Sequence, residues 1–163
     1  MYRPHQIISG GQAGCDYGAL LGAKSLGIDT GGWMPKGFRT ENGCRPYSVV
    51  HMLNLWEHES ADYKPRTLEN VRAADATLLI TRIGAPERGT SLTAQYCRDE
   101  DREFHRVEIP HTHGIQLYDL RCAQAWLQKT APVILNVAGN RESISPGIED
   151  WTQKFIRLLF TGF

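Results

Sequence analysis

The chain has 163 residues, 41% hydrophobic and 22% charged, the size and composition of one ordinary soluble globular domain covering residues 1–163. Eighteen basic and eighteen acidic side chains cancel, so no global charge draws the chain to nucleic acid or an anionic membrane, and any anion has to be bound locally. No apolar run approaches transmembrane length, the N-terminus lacks the apolar stretch of a signal peptide, and Cys15, Cys44, Cys97 and Cys122 form no CxxC pair. These features exclude a membrane protein, argue against disulfides and point to a reducing cytoplasm.

Ile7-Ile8-Ser9 reads as a short strand that ends in glycine. From Cys15 to Leu26, the small or apolar residues Cys15, Ala19, Gly22, Ala23 and Leu26 recur at helical spacing, and Gly27 is a C-terminal stop. Asp29 to Trp33 reads as a second strand. Met34 to about Pro65 is irregular, with Leu53-Asn54-Leu55-Trp56 as a strand inside it. Pro65 suits the first turn of a helix that carries Leu68 and Val71. Ala76 to Thr81 is nearly continuously apolar, as in a strand covered on both faces. A glycine-bearing loop then leads to a helix from about Thr90 to Glu103, a strand from Arg106 to Ile109, and a helix from Leu117 to Lys129. Val133 to Ala138 is the last buried strand. Ser145 and Pro146 supply a cap and first position for a final helix, with Ile148, Trp151, Phe155, Leu158 and Leu159 as its buried stripe. Strands and helices alternate, which predicts a three-layer α/β fold with a mainly parallel sheet and helices on both faces. Ligands of such folds bind at the carboxyl ends of the strands.

Three loops fall at such ends. The loop from Gly10 to Gly14 joins a strand to a helix, where unpaired N–H groups and the helix dipole favour an anion and glycine lets phosphate approach the backbone. Its other reading is a tight turn with close helix–sheet packing. "ERGTSLT", Glu87 to Thr93, offers Arg88, backbone donors and hydroxyls, or simply a Thr90 cap. "NVAGNRES", Asn136 to Ser143, offers Arg141 for bidentate pairing with phosphate, or a surface Arg141–Glu142 pair. Two charges of "PKGFRTE", Lys36 and Arg39, could close over phosphates or lie on a solvated loop. In "SADYKPRTLEN", Tyr63 could stack on a ring and Arg66 reach an anion, or these residues could fix the loop to the helix with Asn70 turned to backbone. His111 and His113 read as an exposed turn after Pro110 in preference to a metal site. Cys15 lies near a helix amino end, which lowers a thiol pKa, but reads as a small packing residue. The four tryptophans read as core or interface residues.

"SGGQAGCDYGAL", "GGWMPKGFR", "SADYKPRTLENVRAADATLLI", "RGTSLT" and "NVAGNRES" together resemble the circularly permuted YpsA-related branch of the SLOG superfamily, whose members are often called molybdenum carrier proteins. The likeness runs from about Ile7 to Phe155. It implies a Rossmann-like sheet that binds a nucleotide or similar phosphate ligand. It also implies that "LNVAGNRES" is a first unit moved to the C-terminus, which would set Gly139 to Ser143 beside Gly10 to Gly14. Relatives of the LONELY GUY type cleave the N-glycosidic bond of nucleoside monophosphates with the glutamate of a PGGxGTxxE motif. Thr93 stands where that glutamate would be, and a threonine cannot stabilise an oxocarbenium-like transition state or activate water as a carboxylate does.

The resemblance and the residues together lead to the expectation of a non-catalytic carrier or binding protein. Its ligand would be molybdenum cofactor (molybdopterin) or a nucleotide, a phosphate-bearing small molecule. The expected binding residues are Gly10, Gly11, Gln12, Gly14, Lys36, Arg88, Gly89, Thr90, Ser91, Thr93, Gly139, Arg141 and Ser143. No protein ligand to a metal is expected, since molybdenum would arrive with the cofactor, and the resemblance implies a homo-oligomer. The alternative is a nucleotide-processing hydrolase with Asp16 or Glu142 as the substitute carboxylate. Binding of single-stranded DNA is opposed by the net charge of zero.

Overall fold

The structure is a computed structural model that describes residues 1–110 and 114–162. Its elements are β1 (Gln6–Ile8), α1 (Cys15–Ser25), β2 (Asp29–Met34), a single turn of 3-10 helix (Lys36–Phe38), β3 (Arg39–Thr40), β4 (Gly43–Cys44), α2 (Tyr47–Met52), β5 (Leu55–Glu57), α3 (Tyr63–Ala73), β6 (Ala76–Arg82), α4 (Arg88–Asp99), β7 (Glu103–Ile109), α5 (Leu117–Thr130), β8 (Ile134–Gly139) and α6 (Ile148–Thr161). Six strands form one sheet in the order β5-β2-β1-β8-β6-β7, and every neighbouring pair in it is parallel. The remaining two, β3 and β4, form a small antiparallel hairpin.

The two faces of the sheet differ because side chains alternate along each strand. Leu135 and Val137 of β8, with Leu78 and Ile80 of β6, join the apolar core under α1, α5 and α6. Phe155, Ile156 and Leu159 of α6 are fully buried there, each contributing about 1.5–3 kcal/mol of burial. The alternate positions, which face α3 and α4, include polar residues beside the apolar Leu79: Thr77 and Asn136 are buried, together with Asn70, Arg66, Thr90 and Thr93 of the covering helices. Buried polar groups need partners, and Asn136 donates its Nδ2 to the Thr77 hydroxyl at 3.2 Å.

The last strand of the chain lies in the middle of the sheet, between β1 and β6. This brings the loop after β8 onto the loop after β1, as the permutation implies. Gly14 and Arg141 form an antiparallel bridge. The Cys15 N–H donates to the Asn140 carbonyl at 3.1 Å, and the Glu142 N–H to the Ala13 carbonyl at 3.1 Å. At Gly14 φ is +105°, and a Cβ would lie 2.4 Å from the Glu142 nitrogen, so only glycine lets the two loops meet here.

Several boundaries differ from the sequence expectation. Residues 53–56 do not form one strand: Leu53 ends α2, which the sequence reading left as loop, and Asn54 has φ +53°, which breaks extension before β5. The fourth helix begins at Arg88 rather than Thr90 and stops at Asp99, because Asp101 turns left-handed and β7 starts at Glu103. Ser145 and Pro146 do not start the final helix. Ser145 is fully buried, Gly147 is the N-cap, and the Glu142 carboxylate accepts the N–H groups of Gly147 and Glu149. Glu142 is thus a helix cap, with no ion pair to Arg141. Trp151 lies in the core, and Trp126 stacks on His105 with centroids 5.5 Å apart. The histidines at 111 and 113 lie outside the described residues.

Candidate functional site

A cleft of about 440 Å³ opens where β1 and β8 end, between α3 and α4. Its floor comes from alternate positions of β8, the polar Asn136 and the small Ala138, and its walls from the loops after β1, β6 and β8 and from the starts of α3 and α4. That is the strand-end position where α/β folds bind ligands, and the volume suits a small molecule.

Three helices begin beside this cleft, and the amino ends of α1 and α4 differ. At α1 the N–H groups of residues 12–15 are spent on the protein itself. The Gln12 N–H donates to Asp16 Oδ2 at 3.4 Å, Ala13 to Gln12 Oε1 at 3.0 Å, Gly14 to Glu149 Oε2 at 3.0 Å, and Cys15 to the Asn140 carbonyl. At α4 the N–H groups of Arg88, Gly89 and Thr90 have no acceptor among the described residues, and Ser91 is the first to bond back, to the Glu87 carbonyl at 2.7 Å. The hydroxyls of Thr90 and Thr93 donate to the carbonyls of Glu87 and Gly89, both at 3.1 Å, so each keeps its acceptor side. The open donors of α4, at the positive end of its dipole, form the anion-attracting feature of the wall.

The charge around the cleft is lopsided. Lys64, Arg66, Arg88 and Arg141 line it, against the single carboxylate of Asp16. Arg66 Nη1 lies 3.5 Å from Asp16 Oδ2, and both side chains are about nine-tenths buried. Lys64, Arg88 and Arg141 have no ion-pair partner among the described residues. The Arg141 guanidinium rests over the Tyr63 ring, 4.6 Å from its centroid, and that of Arg66 is 5.6 Å from the same ring, within cation–π range. Burial raises the Asp16 carboxyl above its ordinary range, against the opposing pull of Arg66. Burial likewise lowers Arg66, and Arg141 adds repulsion while Asp16 offsets both.

The sequence model of the circularly permuted YpsA SLOG family matches residues 7–160. The chain belongs to this family. Its fold is similar to a crystal structure from Syntrophus aciditrophicus named "Putative molybdenum carrier protein", with 30% identity over 98% of this chain and 96% of that one and a TM-score of 0.87. No curated protein matches the chain. Membership accounts for the central position of β8, which the permuted order of units requires.

Of the residues expected to bind a ligand, Gly10, Gln12, Arg88, Gly89, Thr90, Thr93, Gly139, Arg141 and Ser143 line the cleft. Gly11 does not; its Cα faces the Met34 side chain, and its carbonyl accepts from Arg45 Nε at 2.9 Å. Gly14 is enclosed by the loop at 140–142. Lys36 is exposed on the 3-10 turn, and Ser91 is exposed with its hydroxyl toward Glu87. Ser143 lines the rim with its N–H donated to Glu41 Oε1 at 3.1 Å and its hydroxyl to Glu41 Oε2.

Tyr63, Arg66 and Thr67, which the sequence left between ligand contact and loop support, all line the cleft. Asn70 lines it as well, but its amide holds both the N–H and the carbonyl of Trp33, at 2.8 and 3.0 Å. Asn136 and Asn140 went unselected. An asparagine inside the apolar run of β8 was a usable signal, since a polar residue in a buried strand needs a reason. Cys15 is the packing residue expected: its thiol is fully buried, and desolvation raises its pKa well above the ordinary value despite the nearby helix end. Among the described residues, no group of three or more His, Cys, Asp or Glu could hold a metal ion.

Proposed function

We propose that this protein binds a phosphate-bearing small molecule, a nucleotide or molybdopterin, in the cleft between α3 and α4, and holds it without chemical conversion. One observation carries the reading: the open amino end of α4 faces a cleft with four cations and one carboxylate. A phosphate there would take the N–H groups of Gly89 and Thr90 and the side chain of Arg88, while Lys64 adds positive charge to the wall. In this reading the phosphate sits at α4 rather than at the glycine loop before α1, where the N–H groups of Gln12, Ala13 and Gly14 are already used. Thr93 supports binding without turnover, because its hydroxyl cannot do the work of a carboxylate.

The name of the Syntrophus protein supports molybdenum cofactor as one ligand of this class. The donor set suits the phosphate of its pterin. When bound, that cofactor would bring the metal with its own ligands, and this chain's residues would hold and orient it. The protein would then act in the cytoplasm, in keeping with four free cysteines, and as a homo-oligomer. No helix among the described residues is long and apolar enough to cross a membrane.

Native against denaturing mass spectrometry tests the reading on protein purified from a host that makes molybdenum cofactor. A released pterin or nucleotide is the expected result. Protein that carries no ligand and shows no thermal stabilisation by any nucleotide, pterin or phosphate would overturn it.

A second reading, nucleotide hydrolysis, rests on Asp16, the carboxylate that lines the cleft with its proton affinity raised. Release of base or sugar phosphate by the wild type, lost in Asp16→Asn, would favour it over the carrier reading.

A further inference from the structure

The cleft carries more positive charge than one phosphate needs, and the charge lies in two groups. The first is the amino end of α4 with Arg88. The second is on the opposite side, where Arg66 and Arg141, with Arg39 beside them, approach one Tyr63 ring. Guanidinium groups gathered at one ring repel one another, and the carboxylate of Asp16 that lines the cleft is bonded to Arg66 alone. Arg66 is nine-tenths buried, and its Nε has no hydrogen-bond partner. A buried guanidinium with unmet donors costs stability unless an acceptor arrives. Arg141 has neither an acid partner nor a side-chain hydrogen bond among the described residues, and only the ring face holds it. Two cationic groups on opposite walls of one cleft are complementary to two linked anionic groups.

We propose that the cleft is built for a ligand with two linked phosphate charges, a diphosphate ester in preference to a monoester, with one phosphate at the start of α4 and the second at Arg66 and Arg141. This rests on the phosphate-binding reading above and narrows it. Arg141 is the residue that distinguishes the two classes, since a monoester seated on α4 leaves it unused.

The test is calorimetry on the full chain with inorganic phosphate, pyrophosphate, AMP and ADP. The wild type is expected to bind ADP about tenfold more tightly than AMP, and pyrophosphate more tightly than phosphate by a similar factor. Arg141→Gln should bring each ratio to about one while leaving AMP affinity within about twofold. Arg88→Ala should weaken both members of each pair and keep the ratios. Circular dichroism of each variant separates lost contacts from lost fold, and Arg141→Lys, which keeps the charge, should retain part of the preference. Equal wild-type affinities for the mono- and diphosphate overturn this inference and leave the phosphate reading intact. A preference that survives Arg141→Gln overturns the role of Arg141. Failure of all four compounds to bind overturns the diphosphate inference, and the phosphate reading is then decided by the native mass spectrometry and the pterin arm of the stabilisation test above.

Discussion

The guanidinium of Arg66 lies directly on the Cα of Gly10: a Cβ at that position would stand 1.5 Å from Nη1 and 2.8 Å from Asp16 Oδ2. The glycine after β1 therefore makes room for a buried ion pair from α1 and α3. Gly10→Ala should push Arg66 off Asp16 and cost about 1–3 kcal/mol, in the range of overpacked sites. Urea denaturation and calorimetry with ADP check this, and a variant with wild-type stability and affinity would refute it.

Removing the cation from the same pair tests its electrostatics. Arg66→Ala leaves Asp16 buried with no ion-pair partner and only the Gln12 N–H bonded to it, at a cost of about 3–5 kcal/mol near neutral pH. The sign of the pH dependence follows from the raised Asp16 carboxyl. The folded protein holds that proton to a higher pH than the unfolded chain does. Asp16 thus favours the fold at pH below the ordinary carboxylate range, and its contribution is lost as pH rises through the raised folded value. The deficit of Arg66→Ala should accordingly shrink on acidification, when the orphaned carboxyl takes up a proton. Denaturation midpoints of both proteins at two pH values give the answer, and a deficit independent of pH would contradict it.

Glu142 bridges the permuted unit to the last helix. Its carboxylate accepts two N–H groups at the start of α6, Gly147 and Glu149. Glu142→Ala should cost about 0.5–2 kcal/mol, as for a lost N-cap. Ligand affinity should not change, because Glu142 is outside the cleft. Lost affinity at unchanged stability would return Glu142 to the list of functional carboxylates.

The cysteines should separate by burial. Cys44 is exposed, whereas Cys15 is fully buried with its thiol pKa pushed up. A thiolate-directed alkylating reagent should modify Cys44 in the native protein and reach Cys15 only after denaturation. Peptide mass mapping reads this out, and native labelling of Cys15 would show that α1 opens or that its thiol is activated.

Local chemistry in the sequence determined most of the architecture. The apolar run of β6 and the spacing in α1 and α5 marked elements that need little beyond their own periodicity. The three glycine-polar loops marked the ends of strands, and the family resemblance implied that the last of them returns to the first. Short elements were less legible: α2 has one buried residue, Val50, and so no apolar stripe to announce it.

Tertiary structure decided which of the marked residues share a cleft and what each donor already holds. Sequence treated the glycine loop before α1 and the loop before α4 as equivalent, because both lead into helices. Only the fold brings Glu149, Asn140, Asp16 and the Gln12 side chain to the amino end of α1, while leaving the amino end of α4 open. The same holds for charge. A chain with a net charge of zero gives no sign of a cationic cleft, because that depends on Arg66 and Arg141 meeting at Tyr63 from distant parts of the sequence. Periodicity is local and survives in one dimension. Whether a donor is satisfied, and whether charges add, depends on distances that the packed chain alone establishes.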